Sequence, residues 1–316
     1  MNQGARVDNS AGLEEQAASG RLTSSDLIRI DYLPVPEPLT PFVTALYHFT
    51  CDEPRLADVI PAGIGYVMAV LSGSASLTFA DGRSADALPL SLLTPTSSAA
   101  SVLAEGPLHL VGAALSPLGW GALTDLPAFE IRDQVLPAQR LLGEPAAMER
   151  LKSWQSGYAS GSLSGEVIAA ELCGMLGANL SPLPKKHLAL IRETGAWLSS
   201  SFAPTISDLG IASGYSARQV ERLVKRYFGS TPRELVRKYR ALRVAALLQA
   251  PDCTDEAASQ LIDLFYDQSH LIREMRHYLG RTPTRLAGEE SALTQAMNGI
   301  ENYREREPSF ARIPKA

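Results

Sequence analysis

Cysteine is scarce in this chain. The 316 residues hold three, Cys51, Cys173 and Cys253, far apart and with no metal-ligand spacing. That excludes a disulfide framework and favours a reducing compartment, with the cytoplasm as the expectation. Long hydrophobic runs are missing too: no stretch of about 18 or more apolar residues exists, which excludes a transmembrane helix. Residues 1–20 lack a basic start followed by an apolar run, so no secretory signal is read there. There is no His-x-His, Gly-rich phosphate loop, zinc motif, nucleophile elbow or paired catalytic carboxylate. No catalytic residue, cofactor or metal is therefore assigned, and the chain is expected not to be an enzyme.

Basic charge is also short overall. The formal net charge is −5 and the pI near 5.6, which read whole points away from nucleic acid. The charge is unevenly spread, however. Residues 1–184 carry 9 Lys+Arg against 19 Asp+Glu, whereas residues 185–285 carry 16 against 10. The stretch Pro204–Arg243 alone holds 9 basic and 3 acidic residues. Such asymmetry between halves marks one half as the electrostatic partner of an anion.

What is present divides the chain into five parts. Residues 1–25 are polar and small and are expected to fray. Residues 26–135 read as β structure. Gly65-Tyr-Val-Met-Ala-Val-Leu71 is a strand-length apolar run, Ser74–Phe79 alternates, and Asp81-Gly82 signals a tight turn. Val43–Phe49, Leu88–Leu93 and Leu108–Leu115 supply further short strands, which predicts a small sandwich or barrel. Residues 136–182 switch to a helical period and form a linker or dimerisation segment. Ser181-Pro-Leu-Pro184 punctuates the chain. Residues 185–290 then read as all helix, and 291–316 as a mobile tail, with Ala292–Met297 able to extend a helix.

The helix signals in the basic segment are explicit. Ser216-Ala-Arg-Gln219 and Thr231-Pro-Arg-Glu234 have the capping-box spacing, in which a hydroxyl and an amide or carboxylate satisfy free backbone N–H groups reciprocally. Asp252 and Asp267 are further N-cap candidates. Gly214, Gly229 and Gly280 stand where helices should stop. A short helix Ile206–Ser213, a turn at Gly214-Tyr215 and a helix from Ala217 to Phe228 make a helix-turn-helix. Val220, Leu223, Val224 and Phe228 face its core, leaving Arg218, Gln219 and Arg222 outside near the helix start. Arginine there can pair with guanine through two hydrogen bonds. The next helix, from Pro232 to Ala250, spans about 28 Å at 1.5 Å per residue. That is just under the ~34 Å between successive major grooves on one side of DNA. Its apolar stripe is Leu235, Tyr239, Leu242 and Ala246. Finally, Phe228-Gly-Ser-Thr-Pro232 recurs as Leu279-Gly-Arg-Thr-Pro283, an offset of 51 residues that aligns Arg222 with Arg273.

On these motifs, residues 187–286 resemble the two-headed DNA-binding domain of AraC/XylS-type bacterial transcription regulators. Tyr215-Ser-Ala-Arg-Gln-Val-Glu-Arg-Leu-Val224 resembles the first reading helix. Arg240-Ala-Leu-Arg-Val-Ala-Ala-Leu-Leu248 resembles the end of the connecting helix, and Phe265–Glu274 with Gly280-Arg-Thr-Pro283 the second signature. Gly210 replaces the Ala usual there, and Leu264 and Ser259-Gln260 also depart from the family pattern, so head two is expected to be irregular. Residues 32–143 more faintly resemble the cupin-like domain that precedes such heads. The pieces are Tyr32-Leu-Pro-Val-Pro36, Asp58-Val-Ile-Pro61, Gly112–Gly119, Asp133–Pro137 and Leu141-Leu-Gly143. The fold class expected is α+β: an N-terminal β-barrel or sandwich, cupin-like, with a helical extension, and a C-terminal all-α domain of two helix-turn-helix motifs joined by a long helix.

The resemblance implies a sequence-specific transcription regulator controlled by a small-molecule effector or by dimerisation through its N-terminal domain. Its partners would be double-stranded operator or promoter DNA, a small-molecule effector, a second copy of the chain, and RNA polymerase if it activates. No membrane partner is expected. The base-reading candidates are Arg218, Gln219, Arg222, Gln268, Ser269 and Arg273. The phosphate candidates are Ser216, Lys225, Arg226, Arg233, Arg237, Lys238, His270 and Thr282. Tyr47, Tyr66, Met68, Arg83 and Trp120 are the effector-pocket candidates. His48 and His109 read as half-buried structural residues, and His270 with His277, seven apart, lack the further ligands a metal needs. Two rival readings stay open: a cupin-like enzyme with a helical scaffold, and a protein-interaction module with degenerate DNA binding.

Overall fold

In the computed structural model, residues 23–201, 203–248 and 268–282 are described, together with Leu293 and Met297. The apolar run at Gly65–Leu71 becomes a strand buried on both faces. It lies in β4 (Tyr66–Thr78), where Val67, Ala69 and Leu71 face one way and Tyr66, Met68 and Val70 the other. The other strands are β1 (Arg29–Leu33), β2 (Val43–Cys51), β3 (Arg55–Ile60), β5 (Ser84–Asp86), β6 (Leu90–Leu93), β7 (Ala100–Leu115) and β8 (Val135–Pro137). All join one antiparallel eight-stranded sheet in the order β1-β2-β7-β4-β6-β8, with β3 added to β7 and β5 to β4.

Two strands are longer than their sequence signals. The separate runs 65–71 and 74–79 form a single strand across Gly73, whose φ of +78° sits where the register against β7 shifts. A side chain there would press on the carbonyls of Glu105 and Pro107, so the position suits glycine. β7 begins at Ala100, well before Leu108, because Gly106-Pro107 interrupts the ladder without ending the strand. Thr23 is already ordered: it exchanges backbone and side-chain hydrogen bonds of 3.0 Å with Ala57 on β3. The expected frayed tail therefore stops short of Ser25, and residues 1–22 lie outside the described residues.

One face of the sheet is covered by helices. α1 (Pro117–Leu123), α2 (Ala146–Ala159) and α3 (Gly165–Ala178) follow the sheet. Leu151, Trp154, Ile168 and Leu172 are buried with Val67, Ala69, Leu90 and Val111 in one core. The segment 136–182 thus shares its core with the sheet. The opposite face folds around a second apolar core containing Phe49, Leu56, Val70, Leu77 and Leu108.

The C-terminal part is helical: α4 (Lys185–Ser200), α5 (Ile206–Ser213), α6 (Ala217–Phe228), α7 (Pro232–Leu248) and α8 (Gln268–Leu279). Both capping boxes close. The Ser216 hydroxyl accepts from Gln219 N and the Gln219 amide oxygen accepts from Ser216 N. Likewise the Thr231 hydroxyl accepts from Glu234 N at 3.2 Å, and Thr231 N donates to Glu234 Oε2 at 2.8 Å. Gly214, Gly229 and Gly280 have φ of +67°, +68° and +67°, the left-handed conformation that stops a helix. Asp252, Asp267, Ser259-Gln260 and Leu264 lie outside the described residues.

Gly210 sits inside α5, where glycine weakens a helix. A methyl group there would meet only the Tyr215 carbonyl, at an ordinary 3.5 Å. Gly210→Ala is therefore expected to stabilise the protein by about 0.5–1 kcal/mol. The test is the midpoint of denaturant unfolding; a lowered midpoint would show that the backbone needs glycine there.

Candidate nucleic-acid interface and sheet pocket

Helix α6 is built to present one polar face. Val220, Leu223 and Val224 are fully buried against Leu209, Leu190 and Leu235, which fixes the rotation of the helix. Arg218, Gln219 and Arg222 are consequently exposed, with Ser216 at the N-cap beside them. Arg218 and Arg222 make no ion pair with a carboxylate among the described residues. The neighbouring cations are engaged: Lys225 Nζ pairs with Glu221 Oε1 at 2.6 Å and lies over the Phe129 ring, and Arg226 donates to the Asp125 backbone carbonyl. The two arginines at the start of α6 are thus free to meet an external partner.

The long helix α7 carries the rest of the basic face. Arg233 is exposed. Arg237 and Arg240 both reach the buried Glu274 of α8, at 2.8 and 2.7 Å. Lys238 corrects the sequence expectation of a phosphate contact. It is 1% exposed, and its Nζ donates to the Gly63 carbonyl of the sheet domain at 3.2 Å. Its position one residue after Arg237 turns it about 100° around the helix, onto the inner face.

On α8, Ser269, Arg273 and Arg276 are exposed, while Leu271, Met275 and Tyr278 are buried. Arg273 folds back, its Nε donating to the Ser269 carbonyl. His270 is partly exposed, 3.7 Å from Glu274, and Thr282 is partly buried. The Gln268 side chain and residues 249–267 lie outside the described residues.

Helices α6 and α8 both end against the sheet domain. The last carbonyls of a helix have no partner within it. In α6 the carbonyls of Lys225 and Arg226 accept from Phe129 N and Ala128 N, at 3.1 and 2.9 Å. In α8 the carbonyls of His277 and Tyr278 accept from Ala99 N and Ala62 N, at 2.9 and 2.6 Å. The two repeat glycines also pack against the sheet domain. A side chain on Gly229 would strike Pro95, and one on Gly280 would strike Val59. Behind head two, Arg281 donates to Asp58 of β3 at 2.9 Å, with both side chains almost wholly buried. None of this docking is visible in the sequence, because the sheet-domain partners are backbone groups and strand side chains far away in the chain.

The second candidate site is an apolar cavity of about 110 Å³ on the inner face of the sheet. Tyr47, Tyr66 and Met68 line it, as do Ile30, Tyr32 and Phe49, which the sequence did not single out. Their signal was present: Ile30 and Tyr32 alternate in β1, and Tyr47 and Phe49 in β2, so each pair shares a face. Arg83 and Trp120 are corrections to the expected pocket. Arg83 lies in the exposed β4–β5 turn, paired with Asp81 at 2.6 Å. Trp120 is 1% exposed in the core on the other face, its indole N–H donating to the Leu126 carbonyl. Burial pushes the Tyr47 and Tyr66 hydroxyls well above the ordinary phenol range, so both remain neutral.

His48 and His109 face the helices from the outer face of the sheet. The Tyr158 hydroxyl bridges them, 3.0 Å from His48 Nε2 and 2.9 Å from His109 Nδ1, and His109 Nε2 lies 2.8 Å from Asp52. Burial lowers the His48 pKa, which keeps the ring neutral. Among the described residues no three His, Cys, Asp or Glu groups cluster to hold a metal, and no helix is long and apolar enough to cross a membrane.

Residues 209–288 match the family described as a helix-turn-helix domain. No curated protein sequence matches the chain. Among solved structures the chain is similar to the crystal structure of ToxT from Vibrio cholerae O395, with 10% identity and a TM-score of 0.40, covering 82% of this chain and 96% of that one. It is similar to the same protein bound to (E)-4-(8-methylnaphthalen-1-yl)but-3-enoic acid, with 12% identity and a TM-score of 0.40, over 83% and 98%. It is also similar to unsaturated fatty acid bound wild-type ToxT from Vibrio cholerae strain SCE256, with 11% identity and a TM-score of 0.39, over 83% and 95%.

Proposed function

We propose that the protein is a sequence-specific, non-enzymatic transcription regulator of the cytoplasm, with its sheet pocket as an effector site. The observation that carries the DNA reading is the start of α6. Arg218 and Arg222 stand exposed and unpaired there, on a helix whose rotation is fixed by a fully buried stripe. Arg218, Gln219 and Arg222 read base edges in a major groove. Ser269 and Arg273 do so for head two, with Gln268 beside them in sequence. Ser216, Arg233, Arg237 and the partly exposed Lys225 and Arg226 contact phosphates, with His270 and Thr282 as their counterparts near head two. The effector enters the pocket beside Tyr47, Tyr66 and Met68. A second copy of the chain and RNA polymerase are the further partners of such a regulator.

Arg222→Ala is expected to weaken binding to the cognate site by about 1–3 kcal/mol and to relax preference at one base position. Arg233→Ala should weaken all sequences alike and make binding less salt-dependent. Titrations on cognate and scrambled duplexes at several salt concentrations separate the two. Equal losses on both duplexes for Arg222→Ala would sink the base-reading role.

A further inference from the structure

The two histidines on the outer face of the sheet belong to a chain of four side chains that the DNA reading leaves unused. His48 on β2 and His109 on β7 sit on neighbouring strands, and Tyr158 comes down on them from the end of α2. The Tyr158 hydroxyl lies 3.0 Å from His48 Nε2 and 2.9 Å from His109 Nδ1, and Asp52 lies 2.8 Å from His109 Nε2. Both imidazoles also meet the Tyr158 ring at nearly a right angle. Gly165, the first residue of α3, closes over the other edge of His48: a side chain there would strike Nδ1. His48 is 8% exposed as a result. One cluster thus seats both helices on the sheet.

The partners fix where each proton in the cluster sits. An ionised carboxylate only accepts, so Asp52 requires the N–H of His109 on Nε2. Neutral His109 then accepts at Nδ1, and the Tyr158 hydroxyl donates to it. The Tyr158 oxygen in turn accepts from His48, whose proton is therefore on Nε2. Three hydrogen bonds run in one direction, and both rings are neutral.

An added proton suits neither ring. On His109 it turns Nδ1 into a donor. Two N–H groups then point at one hydroxyl, and the hydroxyl proton loses its acceptor. On His48 it keeps the direction of the chain but puts a charge on a buried ring whose Nδ1 edge is covered by Gly165. The carboxylates of Asp52, Asp31 and Glu166 face the cluster and favour that charge, while Arg29 and the other imidazole oppose it. The carboxylates stand at the rim, where the Asp52 side chain is 90% exposed, and water screens their attraction. Burial outweighs them and lowers the His48 pKa. A group whose folded pKa is lowered lends stability that is full above its ordinary value, about 6.5, and lost as pH falls through the folded value.

We propose that His48, Tyr158, His109 and Asp52 form an acid-released latch: with both rings neutral it seats α2 and α3 on the sheet, and proton uptake unseats them. The chain leaves α3 through a short linker and enters α4, the first helix of the C-terminal part. Ser181 in that linker is held by α1, its N–H donating to the Ala122 carbonyl at 2.8 Å. Unseating α3 leaves this bond as the near support of α4, so acid loosens the join between sheet and helices. The inference goes beyond the DNA reading and does not rest on it.

The test uses the full chain. Amide hydrogen exchange over residues 146–178 is compared at about pH 7.5 and about pH 5.5, one unit either side of the ordinary imidazole value, after correction for the intrinsic rate. If the seated form takes no proton and the unseated form takes one, opening should be about tenfold more frequent at the lower pH. His48→Gln/His109→Gln keeps hydrogen-bonding groups but no titrating ring, and should remove that difference. Tyr158→Phe should raise exchange at the higher pH, because the hydroxyl joins the two strands to α2. Nitrogen NMR of the histidine rings in the unaltered protein at the higher pH should place the His48 and His109 protons on Nε2; this arm depends on no variant folding. Exchange that is equal at the two pH values overturns the latch, as does a pH difference that survives in the double variant. Exchange left unchanged by Tyr158→Phe, or a His48 proton on Nδ1, overturns it as well.

Discussion

Glu274→Ala is expected to destabilise the protein by about 3 kcal/mol, and to do so by loosening head two from the connecting helix. Glu274 is 1% exposed on α8 and accepts from Arg237 at 2.8 Å and from Arg240 at 2.7 and 3.3 Å, both on α7. Removing one member of a buried ionic cluster leaves the others without compensation, which costs about 3–5 kcal/mol. The lower end applies because the Arg237 side chain is 46% exposed, and water screens part of its charge. Glu274→Gln keeps the shape and one acceptor, so its effect should be smaller. Denaturant unfolding gives the stability change. A loss under about 1 kcal/mol would mean the arginines are adequately solvated without the carboxylate. DNA binding supplies a second readout, since the pair α7–α8 positions the second reading helix.

Asp58→Ala is expected to be at least as severe, about 4 kcal/mol, because both partners of its ion pair are buried. The Asp58 and Arg281 side chains are 0% and 3% exposed. The substitution removes the carboxylate partner of the Arg281 guanidinium and the acceptor of Leu293 N together. Replacing both partners by apolar residues, as in Asp58→Leu/Arg281→Met, should recover much of the loss, since no charge is then left buried. A double-mutant cycle built from unfolding midpoints measures this directly. Additive losses for the two single variants would show that the residues act independently and would refute the pairing as the source of the effect.

The local structure of the C-terminal domain was legible because its signals are local. Ser216, Gln219, Thr231 and Glu234 each satisfy a backbone group within three residues, and Gly214, Gly229 and Gly280 answer to backbone conformation alone. The buried face of α6 followed from spacing, and with it the exposure of Arg218 and Arg222. The fate of Lys238 did not follow. It sits among exposed arginines in sequence, and only the approach of Gly63 from the other domain makes it an interior residue. The pocket was half legible. Tyr47, Tyr66 and Met68 could be placed on the inner face from alternation, but Arg83 sits in a turn and Trp120 on a helix that packs against the other face. Leu293 and Met297 gave no signal beyond a spacing of four, because their partners lie more than 180 residues earlier in the chain.

The hydrogen bonds that Phe129, Ala128, Ala99 and Ala62 make to the ends of α6 and α8 have a consequence for the DNA itself. Two reading helices fastened at their feet to one rigid sheet cannot adjust independently to the helical phase of a duplex. Adding one base pair between their contact sites moves the second site by about 3.4 Å and turns it by roughly 34°. A pair of heads linked by a flexible rod absorbs such a change by swivelling. Here the swivel would have to break the caps on one helix, so for the proposed regulator the expected operator is a single site of fixed length, with its middle specified by phase alone.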